Sequence, residues 1–185
     1  MIRAIQILGE KKVLGRTLLS RLLKTGAGAI RTIINDLEKE EIITVEREGC
    51  RLTRKGLNIH RQITEAIPLV TLIDAGRLSV AKYDAAVLVK NVSSKLRRGI
   101  EQRDAAVRVG AKGATTLIYS AGCFLIPMGS QDCARDFPGG VWRRIESTFS
   151  PEDGDVVVVS SADNADTAIY GALAGALALL GRSRD

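Results

Sequence analysis

The sequence predicts an α+β chain in two parts. Residues 1–67 read as a small helical module with a helix–turn–helix and a two-stranded hairpin, and residues 69–185 as a small mixed α/β domain. Three observations carry this. Leucines and isoleucines recur at helical spacing between Leu18 and Leu37, a β-branched run at 42–45 precedes a charged turn containing glycine, and beyond Pro68 valine-rich runs alternate with helical patterns.

From Gly15 to Leu23, the leucines at 18, 19, 22 and 23 form one apolar stripe, which predicts a helix. Lys24-Thr25-Gly26 reads as a turn, with Gly26 supplying the positive φ that ends the helix. The segment Ala27–Glu38 predicts a second helix that buries Ile30, Ile33, Ile34 and Leu37 and turns Ala27, Gly28, Ala29, Arg31, Thr32 and Asn35 outward. Ile42–Val45 and Arg51–Thr53 read as strands around Glu46-Arg47-Glu48-Gly49-Cys50. Thr53 is placed to cap a further helix, with Ile59, Ile63 and Ile67 at four-residue intervals and Pro68 as its stop.

Small residues in the first turn of the 27–38 helix let its backbone approach a phosphate or a base edge, and helix N-terminal N–H groups attract phosphate oxygens. Arg31 has the reach for guanine, Asn35 for adenine, and Thr32 for a phosphate or a thymine methyl. Arg47 and Arg51 are the hairpin's expected phosphate contacts, and Arg16, Thr17, Arg54 and Lys55 complete the expected DNA-contact set. Over these first 65 or so residues the chain resembles the winged-helix transcriptional regulators. Leu52-Thr53-Arg54-Lys55-Gly56, directly after the hairpin, is similar to a leucine-threonine-x-lysine-glycine signature of that superfamily. The resemblance implies a winged helix-turn-helix that binds double-stranded DNA through a recognition helix at 27–39 and a wing at 42–53, the helix entering the major groove with its N-terminal half leading. Winged helices also serve as protein–protein modules, in which case these polar positions are solvated surface.

Charge favours nucleic acid. Residues 1–67 hold 13 Lys+Arg against 8 Asp+Glu, whereas the remainder holds 14 against 13, so the basic excess sits on the proposed reader. Three cysteines without CxxC spacing imply reduced thiols in a cytoplasmic protein, with a redox-sensing Cys50 as the sharper alternative. His60, the single histidine, reads as packing or surface rather than a ligand, so no metal site is expected. No leader pattern opens the chain. The apolar run Ala165–Leu180 is too short to span a bilayer comfortably, so no membrane association is expected.

In the second domain, residues 84–92 read as a buried strand and 95–109 as a helix capped by Ser93 or Ser94. Residues 115–120 and 123–126 form a hairpin about Ala121-Gly122, 127–140 an exposed loop, and 141–149 a helix with Trp142 and Ile145 inward. The valine run within 155–160 implies a strand buried on both faces. A helix over 165–180 follows, whose Gly171 and Gly175 suit close packing on the sheet or, alternatively, a helix–helix dimer seam.

Two clusters are candidates for a ligand. Arg97, Glu101, Arg103 and Asp104 are either surface ion pairs or a grip, with an arginine on an anionic group and a carboxylate on a hydroxyl or amine. Ser160, Ser161, Asp163 and Asn164 lie between a strand and a helix N-terminus, where ligands settle in open α/β sheets; the plain reading is a capped helix start. GxGxxG, GxxxxGK[ST] and GxSxG are absent, so neither a catalytic residue nor a cofactor is expected. The segments Gly99–Ala106, Gly110–Leu117 and Gly154–Val157 are similar to an uncharacterised archaeal family that joins an N-terminal winged helix to a C-terminal domain of unknown function. The resemblance implies a regulator-like architecture and supplies no ligand. The reading is a homodimeric DNA-binding transcriptional regulator whose second domain dimerises, senses a small-molecule effector, or both. The alternatives are a metabolite-binding protein or enzyme that uses its winged helix for assembly or autoregulation, and a protein-binding adaptor.

Overall fold

Apolar residues at helical spacing gather the N-terminal segment around one core. The structure, a computed structural model, describes residues 1–181. It divides into two units, Met1–Glu65 and the residues from Ala66 on. The first contains α1 (Ile2–Lys11), β1 (Val13–Leu14), α2 (Arg16–Leu23), α3 (Ala27–Lys39), β2 (Ile43–Glu46), β3 (Gly49–Leu52) and α4 (Arg54–Ala66), which runs to the boundary. The strands form an antiparallel sheet in the order β1-β3-β2. Helix, strand, two helices and a hairpin is the winged helix-turn-helix arrangement. The helix α1 and the strand β1 had no counterpart in the sequence reading. Ala4, Ile5, Ile7 and Leu8 of α1 join Leu19, Leu23, Ile30, Ile34, Leu37 and Ile43 in the core. His60 packs its ring on Gly9, where a Cβ would overlap it, so it serves packing.

Two local expectations change. Only Leu19 and Leu23 of the α2 stripe are buried, while Leu18 and Leu22 are exposed, because an eight-residue helix offers this core a single i, i+4 row. The turn after α2 uses Lys24, not Gly26, in the left-handed region (φ 50°), and Gly26 is extended. The Ser20 hydroxyl holds this turn by donating to the Thr25 carbonyl at 2.7 Å.

The C-terminal end of α3 is tied to the segment after the wing. The Lys55 ammonium donates to the Glu40 carbonyl at 2.7 Å, and the Thr53 hydroxyl to the Glu41 carbonyl at 2.6 Å. Thr53 also accepts from the Gly56 N–H at 3.0 Å, which caps α4 as expected. A Cβ on Gly56 would overlap the Ile42 carbonyl oxygen, so only glycine permits this approach.

The second unit contains β4 (Leu69–Ile73), β5 (Tyr83–Val89), α5 (Ile100–Arg108), β6 (Gly113–Ser120), β7 (Cys123–Leu125), α6 (Cys133–Asp136), α7 (Val141–Phe149), β8 (Val156–Ala162) and α8 (Ala165–Leu180). Its sheet, in the order β4-β5-β8-β6-β7, is antiparallel throughout. Ile67, read as the end of the first module, belongs to this unit's core. Val156 and Val158 of the central strand face Ala168, Ala172, Leu173 and Ala176 of α8, whereas Val157 and Val159 face Trp142, Ile145 and Phe149 of α7. The valine run is therefore buried on both faces, through helices on either side of an antiparallel sheet.

The expected 95–109 helix is broken. A single 3-10 turn at Ser93–Lys95 is followed by an extended Leu96, and α5 starts after Gly99 at φ 80°. Ala121 and Gly122 turn the β6–β7 hairpin with positive φ at both positions. The loop over 127–140 includes the one-turn α6, capped by the Asp132 carboxylate on the Arg135 N–H. Gly171 lies on Ser160 and Ala111, and Gly175 on Val158 and Gln102. Both glycines are buried within the unit, which removes the dimer-seam alternative. The strand β4 was also unforeseen. The Asp155 carboxylate, buried at the start of β8, accepts from the Lys90 ammonium (2.8 Å), the Asn91 N–H (2.9 Å) and the Glu152 N–H (2.8 Å). Among the described residues, no helix is long and apolar enough to cross a membrane.

Two outcomes follow. Gly175→Val places methyls against Val158 and should lower stability by about 1–3 kcal/mol in denaturant titration. Hydrogen bonds to Asp155 and then Glu152 raise the Lys90 pKa above its ordinary value. A raised pKa makes this contribution full below the unfolded pKa and lost as pH climbs through the folded one. Lys90→Met should therefore cost about 1–2 kcal/mol at neutral pH, and the gap to the parent protein should close only above about pH 10.5.

Candidate nucleic-acid interface

The helix α3 presents its N-terminal half to solvent. Ala27, Gly28, Ala29, Arg31, Thr32 and Asn35 are all exposed, while Ile30, Ile34 and Leu37 hold the helix to the core. Gly26 precedes it and provides no side-chain cap, so the leading N–H groups have no side-chain acceptor among the described residues. Beside them lies the start of α2. Arg16, Thr17 and Ser20 of α2 and Ala27, Ile30 and Arg31 of α3 line one open recess of about 270 Å³, with no carboxylate on its wall among the described residues. Two arginines and a helix N-terminus thus border one recess, a donor set that suits an oxyanion. Ser20 and Ile30 were not foreseen here. The Thr32 hydroxyl donates back to the Gly28 carbonyl at 3.3 Å, which leaves its methyl and lone pairs for other contacts.

The wing is tighter than expected, because Glu46 pairs with Gly49 and only Arg47 and Glu48 form its tip. Arg47 is exposed there. Arg51 pairs with Glu46 at 2.8 Å, so its charge is partly neutralised. Lys55 is committed to the end of α3, and Arg54 shares a recess with Glu38 and Glu41, an acidic setting for a phosphate contact. Arg54 and Lys55 thus both lie against the C-terminal end of α3, a placement that their order in the sequence does not reveal. Cys50 is 2% exposed. Burial, followed by the Glu38 carboxylate, pushes its thiol pKa up against the offsetting Arg16, which removes the redox-sensing alternative.

The second-unit candidates do not form one site. Ser160 and Ser161 are buried; Ser161 donates to Asp84 at 2.5 Å and accepts from the Val80 N–H at 3.2 Å. Asp163 pairs with Lys112 at 3.1 Å, and Asn164 caps α8 by accepting from the Thr167 N–H at 2.9 Å. The crevice rule invoked for them concerns parallel strands, and both neighbours of β8 run antiparallel to it. Arg103 bonds to the adjacent Asp104 at 3.1 Å and lines a cleft at the start of α5 with Arg98 and Gly99, which the sequence reading did not single out. Arg97, Glu101 and Asp104 do not line it.

The family described as a domain of unknown function (DUF4443) matches residues 80–179. Among solved structures, the chain is similar to a hypothetical protein, PH0730, from Pyrococcus horikoshii OT3. The TM-score is 0.72 at 26% identity, over 98% of this chain and 93% of that one. No curated protein matches.

Thiol accessibility offers a direct check. Cys123 is partly exposed, whereas Cys50 and Cys133 are buried with raised pKa values. A maleimide should modify Cys123 first in the native protein, with Cys50 and Cys133 slower by about tenfold or more. Equal labelling of Cys50 would contradict its position under the wing.

Proposed function

We propose that this chain, which belongs to the DUF4443 family, is a DNA-binding transcriptional regulator that docks α3 and the start of α2 on double-stranded DNA. The observation that carries this reading is the acid-free recess that joins Arg16 and Thr17 to Ala27 and Arg31 beside the uncapped start of α3. In this reading a phosphate oxygen binds among Arg16, Arg31 and the leading N–H groups. The outward row Gly28, Arg31, Thr32 and Asn35 then lies along the base edges, where Arg31 or Asn35 reads a purine. Arg47 at the wing tip takes a flanking phosphate. The second unit serves as dimerisation or effector domain. A homodimer presents two recognition helices and calls for an inverted-repeat operator. An effector shifts operator affinity only by its preference for one arrangement over another.

Fluorescence anisotropy with duplex DNA tests the docking. Binding should weaken steeply with salt, by a slope of about 0.9 per phosphate contacted. Arg31→Ala and Arg16→Ala should each lower affinity by about tenfold, whereas Arg51→Ala, already paired with Glu46, should change it by less than about threefold. Salt-insensitive binding, or no response to Arg31→Ala and Arg16→Ala, would favour a protein-binding role for the winged helix.

A further inference from the structure

We propose that the second unit binds a phosphate group, free or as the end group of a small phosphorylated metabolite, in the cleft where α5 begins against β6. The inference rests on this unit alone and does not depend on DNA binding. The cleft measures about 180 Å³, and its wall includes Arg98, Gly99, Arg103, Thr116 and Pro127 but, among the described residues, no Asp or Glu. That is far more room than one water needs, and less than the roughly 300–1,000 Å³ of a drug-sized ligand site.

The deciding group is Thr116. It is 4% exposed, and its hydroxyl oxygen is buried without a hydrogen-bond partner among the described residues. Buried hydroxyls are seldom left so. Thr116 faces Gly99: a Cβ on that glycine would stand 3.5 Å from the Thr116 hydroxyl oxygen and 3.3 Å from its Cβ. Gly99 is favoured by its φ of 80°, and its missing side chain leaves space beside the hydroxyl.

The start of α5 adds a second set of donors. Gly99 provides no side-chain cap, and the first amide of the helix seen bonded within it is Arg103, to the Gly99 carbonyl at 3.2 Å. The three N–H groups before it lie at the positive end of the helix. Arg98 and Arg103 line the cleft on exposed side chains. Arg98 makes no ion pair among the described residues, and Arg103 holds only the adjacent, half-exposed Asp104. The edge of β6 is also open here, since β7 pairs only with Ile118, Tyr119 and Ser120.

A helix start, two arginines and a hydroxyl thus border one cleft. A tetrahedral oxyanion offers acceptors to all of them, whereas a planar carboxylate presents two oxygens in one plane.

Isothermal titration of the full chain with inorganic phosphate, in a chloride-matched buffer, tests this, with glycerol 3-phosphate and acetate as further arms. Phosphate should bind, Arg98→Ala and Arg103→Ala should each weaken it by about tenfold, and Thr116→Val by about threefold or more. Arg31→Ala on the other unit should leave it unchanged. Tighter glycerol 3-phosphate identifies a phosphorylated metabolite, and tighter inorganic phosphate identifies the free ion. No heat up to about 10 mM phosphate, acetate binding as tightly as phosphate, or equal losses for Arg31→Ala and Arg98→Ala would overturn the proposal. Arg98 and Arg103 are exposed, so their variants keep the test decisive if Thr116→Val loses stability.

Discussion

The presentation of α3 depends on how its C-terminal end is held. The last carbonyls of a helix have no partner within it, and here Lys55 takes that of the C-cap Glu40 while Thr53 holds the Glu41 carbonyl just beyond. Gly56 lets the backbone come close enough for both. Fixed at that end and along Ile30, Ile34 and Leu37, the helix leaves its other end exposed. The Leu52–Gly56 signature therefore acts as a clamp, in which Leu52 fills the core, Thr53 caps α4 while bonding to α3, and Lys55 closes the helix. It positions the proposed contact surface without belonging to it.

The second unit is organised around β8. This central strand packs helices on both faces, so it has no solvated side to offer a ligand. The polar residues at its end are accordingly absorbed into the fold: Ser161 into the Asp84 network and Asn164 into the α8 cap. The phosphate site proposed above lies instead at the sheet margin, where β7 is short and α5 begins on a glycine.

Much of this was legible in the sequence. The α3 face, the Thr53 cap, the Ala121-Gly122 hairpin and the two-sided burial of the valine run each follow from a local pattern strong enough to stand alone. The strands β1 and β4 escaped because their signals are short, and a five-residue run such as Leu69–Ile73 has no periodicity to separate strand from helix, whereas the ten-residue α1 carries an apolar stripe that was legible and went unread. Arg51, Lys55 and Arg103 look alike as sequence, yet one pairs across a hairpin, one caps a helix and one lines a cleft. That difference is set by partners distant in the chain. Thr116 carried no signal, since a hydroxyl in a strand declares itself only when the structure leaves it unpartnered.

The account centres on the N-terminal end of α3 as the surface that meets DNA. The most direct test is a titration of the 15N-labelled chain with duplex DNA, followed by amide chemical shifts. The account predicts shifts at Arg16, Thr17 and Ala27–Thr32, with Thr53–Gly56 unmoved. Shifts confined to the Glu38–Glu41 end of α3, or none in the first unit, would contradict it.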